Sequence, residues 1–121
     1  MLIYGIDRQF RLTVGAYREI AATLPNGNIE ELRNTLGSDD PFVTMQTIFN
    51  LAVIMNKWDE KQKSFADPTY TPNRPLTLEE LETLPMSVVV SELKDAIVEA
   101  IIDSQDTEIT LKNAQGAEGE S

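Results

Sequence analysis

Hydrophobic residues are densest between Phe42 and Trp58, where eleven of seventeen positions are apolar. At about 100° per residue they cover well over half of a helical circumference. Asp40 offers an N-cap oxygen to the free amides of a first turn, and Pro41 fits the first helical position, where its missing N–H costs nothing. The pattern predicts a helix over 41–58, with Gln46, Thr47, Asn50 and Lys57 in one narrow polar arc. A helix so apolar is the central rod of a small domain or is shared between that domain and a partner, because one amphipathic contact would leave too much of it wet. It is too short, and too interrupted by amides, to span a bilayer.

Before the rod, Leu2 to Asp7 and Gln9 to Val14 alternate in part and predict a tight β-hairpin with Asp7-Arg8 at its turn. Thr13 and Gly15 open a short helix whose Val14, Tyr17, Ile20, Ala21 and Leu24 share a face, and Pro25-Asn26-Gly27 ends it. Asn28 with Glu31 forms a capping box for a further helix with Ile29, Leu32 and Leu36 as its stripe and Gly37 as its stop. After the rod, the charged run Asp59 to Lys63 reads as a fraying end. The stretch 62–76, with prolines at 68, 72 and 75, reads as an irregular connector. Phe65 and Tyr70 either pin that connector to the core or make it a docking loop.

Thr77 with Glu80 is a second capping box, opening a short helix that Pro85 closes or kinks. A longer helix then runs from about Met86 to Ser104. Val89, Val90, Leu93, Ala96, Ile97, Ala100 and Ile101 form its core face, and Glu92, Asp95, Glu99 and Asp103 line the opposite side. Four carboxylates on successive turns of one helix make a solvated, self-repelling stripe more often than a metal cage, so no metal or other cofactor is expected. Val98 and Ile102 lie on the flank between stripe and core, where a monomer favours polar residues. They mark a contact surface, and Trp58, Phe65, Tyr70, Val98, Ile101 and Ile102 are the residues expected to meet a partner. Thr107 to Lys112 alternates weakly, as an added strand would, and the small, acidic stretch 113–121 has too little apolar surface to order it.

Composition narrows the reading. The 121 residues suffice for one domain, here 1–104, with 105–121 as a flexible acidic tail. Cysteine and histidine are both missing, which removes thiolate nucleophiles, imidazole bases and the usual transition-metal ligands together. No catalytic or phosphate-binding motif is present, so an enzyme is not expected. The net charge is −10, of which residues 1–76 contribute −1 and 77–121 contribute −9. That acidic field repels nucleic acid. MLIYGIDRQF lacks the long apolar run of an export signal, which points to the cytoplasm.

The order of these parts resembles a known family. YGIDRQFRLTVGAYREIA, an apolar middle helix ending NKWDEKQK, a proline-rich loop and PLTLEELETLPMSVVVSELKDAIVEAI look like the short tail assembly chaperones of siphovirus-type bacteriophages and prophages of Gram-positive bacteria, over roughly residues 2 to 104. The resemblance rests on element order and texture and on no invariant motif. It implies a non-catalytic protein of the host cytoplasm that coats the tape measure protein until tail-tube subunits polymerise around it, and that is absent from the finished virion. It also implies a longer, frameshifted form of the same protein, for which the stretch GAEGES is a suitable place. The alternative from the residues is a small acidic homo-oligomeric adaptor or anti-aggregation subunit of another bacterial system. The expected fold is mainly α (α+β): four or five helices around a central apolar helix, with a small N-terminal β-hairpin.

Overall fold

The computed structural model describes residues 1–24 and 41–103, with Pro41 and Phe42 described by backbone. The order of elements is β1 (Leu2–Ile3), β2 (Ile6–Asp7), α1 (Val14–Thr23), the long α2 (Pro41–Ala66), the short α3 (Leu78–Glu82) and α4, which runs over 86–103. The chain is thus mainly helical with a two-stranded antiparallel hairpin at its start, as the pattern predicts. The expected turn at 25–27, the helix at 28–37, the cap at Asp40, the strand at 107–112 and the tail lie outside the described residues.

The hairpin is smaller than expected. Leu2 pairs with Asp7 and Ile3 with Ile6, so the turn is Tyr4-Gly5 and not Asp7-Arg8. Both turn residues have positive φ, 48° and 80°, the mirror-type geometry whose twist matches that of the flanking strands. Glycine takes this conformation without steric cost, and it closes the hairpin early. Residues 9–13 therefore form no second strand but run as irregular chain along α2, where Asn56 Nδ2 donates to the Gln9 carbonyl at 2.9 Å and the Arg11 amide to that of Met55 at 3.3 Å.

Thr13 caps α1, its hydroxyl oxygen accepting from the Ala16 amide at 3.1 Å. The inward face matches the expected one at Ile20, which is buried, and at Leu24, which packs against the core, but Ala16 is buried in place of Val14 and Tyr17, which stand in solvent. The reason is Gly15, whose bare backbone is crossed by the Trp58 ring, so that α1 approaches α2 by its small-residue side.

Helix α2 does not fray after Trp58. It continues to Ala66, which shortens the connector to 67–76. Its buried stripe of Ile48, Leu51, Ala52 and Met55 is prolonged by Asn56, Asp59 and Glu60, polar residues that keep the helical spacing and are buried as well. Thr77 caps α3 as expected, its Oγ1 accepting from the Glu80 amide at 3.2 Å. Helix α3 ends without help from Pro85, which instead sits at the start of α4. Met86–Val88 is α-helical, Val89–Leu93 forms a π turn in which the Lys94 amide reaches the Val89 carbonyl, and 94–103 is α-helical again. The extra residue in that turn keeps Val89, Leu93 and Ile97 in the core and rotates Val90 outward to half exposure, against its expected place on the core face.

The core forms where α1, α3 and the π turn pack on α2. Among the described residues no helix is long and apolar enough to cross a membrane.

Candidate functional site

The last turns of α2 and the proline connector enclose an open groove of about 360 Å³. Its geometry begins with Glu60. The carboxylate accepts from the Tyr70 hydroxyl at 2.6 Å, the Asn73 amide at 3.0 Å and the Asn73 side-chain nitrogen at 3.0 Å. Burial is the largest single influence on this carboxyl and pushes its pKa up, but the hydrogen bonds from Tyr70 and Asn73 together outweigh it and leave the pKa lowered. The connector is tied down a second time by Arg8, a buried guanidinium whose Nη1 donates to Asn56 Oδ1 at 3.1 Å and to the Arg74 carbonyl at 2.6 Å. Arg74 in turn pairs with Glu80 of α3. An irregular segment with three prolines is thereby held in one course.

That course places Pro72 and Pro75 opposite Phe65, which is 89% exposed on the final turn of α2. Lys57 and Lys61 stand one turn apart on the α2 side, with Ser64 beyond them. Lys57 is shared with Glu19, its Nζ 2.6 Å and 2.7 Å from the two carboxylate oxygens. Lys61 lies over the Trp58 ring, 4.4 Å from its centre, and among the described residues it pairs with no carboxylate. The groove is therefore apolar with a cationic rim on a chain whose net charge is −10.

The expected partner residues divide among α2, the connector and α4, and of the six it is Phe65 that lines the groove. Tyr70 is half-buried and pins the connector, the first of the two readings given above, and the same bond raises its hydroxyl pKa to about 12. Trp58 is half-buried between Gly15 and Lys61, and its Nε1 donates to Glu19 at 2.7 Å. Ile101 packs against the core, Val98 is half-buried, and Ile102 is 50% exposed on the flank of α4. Glu92, Asp95, Glu99 and Asp103 are all solvated, and no group of three acidic residues among those described is placed to hold a metal.

Sequence reasoning missed Glu60, Lys57 and Lys61 as parts of a site. The visible signal was the helical period, which passes from Met55 through Asn56, Asp59 and Glu60 without a break. Asp59 is fully buried, with Arg11 Nε 3.3 Å from Oδ1 and Lys63 Nζ 2.9 Å from Oδ2, the latter an ion pair without hydrogen-bond geometry. Compared with protein-family models, with curated proteins and with solved structures, the chain finds no match.

Proposed function

We propose that the protein is a non-catalytic holder of a long helical partner, acting in the host cytoplasm as a phage tail assembly chaperone that keeps the tape measure protein soluble until tail-tube subunits polymerise around it. The observation that carries this reading is Phe65, a large aromatic side chain left 89% exposed on an ordered helix beside a preformed groove. Met86, Val90 and Ile102, each at least half exposed on α4, extend the same excess. A holder works through many weak apolar contacts, and the charge of −10 keeps the loaded complex in solution. The longer frameshifted form and the tail-tube subunit are further partners that the family resemblance implies.

Co-expression with the tape measure protein that the reading expects to be encoded downstream tests it. The expected outcome is that this partner, insoluble on its own, stays soluble and co-purifies. A partner that precipitates as before would overturn the reading and leave the adaptor alternative.

A further inference from the structure

We propose that the groove between the end of α2 and the connector docks an amphipathic helix whose apolar ridge is flanked by carboxylates one turn apart. The inference rests on the holder reading and assigns it a site and a ligand chemistry.

Three observations select that occupant. The first is the lining: Phe65, Pro72 and Pro75 offer rigid apolar faces, and the stems of Lys57 and Lys61 add methylene surface below their charged heads. A volume of about 360 Å³ is within the range of cavities that seat a ligand or a cluster of side chains.

The second is what the connector lacks. A strand that adds to an edge needs a row of free amide hydrogens, but Pro72 and Pro75 have none and the Asn73 amide is already given to Glu60. Three of the four positions from 72 to 75 thus offer a partner strand no amide hydrogen, so recognition falls chiefly to side chains, the mode in which a helix lies in a groove.

The third is charge. Lys61 has no carboxylate partner among the described residues, so a carboxylate on a docked helix meets it, and a second one, a turn along, reaches Lys57 beside the Glu19 that already holds it. Glu60, the carboxylate in the lining itself, faces its own hydrogen-bond donors and is satisfied by Tyr70 and Asn73. A second copy of this chain, laid symmetrically in the groove, would bring the same two lysines against each other, which disfavours it. A basic helix would be drawn by the net charge of the whole molecule and refused by the rim.

The test uses the full chain and two synthetic helical peptides of equal length and equal leucine spacing, one with glutamates and the other with lysines beside the leucines. Calorimetry gives the affinity, and the emission of Trp58, the single tryptophan, reports whether Lys61, which lies over its ring, moves when the groove is filled. The glutamate peptide is expected to bind and to shift the emission, and the lysine peptide to bind at least about tenfold more weakly. Phe65→Ser and Lys61→Glu, both at exposed positions, are each expected to weaken the glutamate peptide by about tenfold or more. Phe65→Ser leaves the circular dichroism melt in place, and Lys61→Glu, which loses its contact with Trp58, stays folded with a melt lowered by a few degrees at most.

Equal binding of the two peptides, binding of neither, or variants that bind as the parent does would each overturn the proposal. Co-purification separates this result from the holder reading. If the peptides behave as stated but no long helical partner is retained, the groove stands and the holder reading falls. If the partner is retained while neither peptide binds, the holder reading stands and the groove assignment falls.

Discussion

Gly15 leaves α1 bare where the Trp58 indole crosses it, and a Cβ at that position would overlap the ring. The ring has little room to yield, because Glu19 holds its Nε1 and Lys61 lies on its face. Alanine in a helix is ordinarily better than glycine by about 0.5–1 kcal/mol. Here the overpacking, typically about 1–3 kcal/mol, exceeds that gain. Gly15→Ala is therefore expected to lower the thermal midpoint by several degrees, and a melt that rises would show that the indole can move aside. Glu60 makes a second prediction at this scale. Its depressed carboxyl contributes stability that is present above the ordinary carboxylate range and lost as pH falls through its folded value. Tyr70 has the opposite sign: with a hydroxyl raised from 10.0 to about 12, chiefly by its bond to Glu60, its contribution is complete below the ordinary value and lost as pH climbs through the raised one. Ultraviolet titration should show one of the three tyrosines ionising near 12, and Glu60→Gln should bring that step down by removing the charge. A step that stays in place would show that burial, and not Glu60, sets it.

The elements were legible to the extent that their signals were local. Thr13 and Thr77 announce their helices through side chains that reach three residues ahead, and both caps are present. The end of α2 was not legible, because a run such as Asp59-Glu60-Lys61 reads as solvated unless its partners are known. Those partners, Arg11 for Asp59 and Tyr70 and Asn73 for Glu60, stand 48, 10 and 13 residues away. The groove was hidden for the same reason: Phe65 and the prolines were visible, but the tie that brings them together is a tertiary contact. In α4 a single π turn, unmarked by any glycine or proline, moved Val90 out of the core while Val89, Leu93 and Ile97 kept their places. The ridge of Val98 and Ile102 lies beyond that turn, half-buried and half-exposed respectively. Val98→Lys with Ile102→Lys is expected to leave the protein folded, at a cost of about 1–2 kcal/mol, and to abolish partner retention. A double variant that unfolds would place the ridge in the core, and one that retains the partner would make it idle surface.

At the scale of the molecule, apolar exposure and net charge act against each other. Phe65, Met86, Val90 and Ile102 favour association, and copies that each carry −10 repel. The repulsion reaches across the whole molecule, whereas an apolar contact acts within a few ångströms, so salt should affect the two unequally. Raising the ionic strength from about 0.01 M to about 0.15 M shortens the screening length from about 30 Å to about 8 Å, weakening the repulsion while leaving the contact intact. Self-association at micromolar concentration is therefore expected to strengthen with salt, with the mass by light scattering rising above the 13.5 kDa of one chain. Docking of a carboxylate-flanked helix against Lys57 and Lys61 has a mixed dependence, since salt screens the attraction at the rim together with the repulsion of the acidic surface. Phe65→Ser with Ile102→Lys tests the apolar origin of self-association directly, because it removes two of the exposed side chains and changes the net charge by one unit. The salt-dependent mass increase should vanish in that variant. Association that weakens as salt is added would assign the contact to ion pairs, and a parent chain that stays monomeric under every condition would show that these side chains await a different molecule.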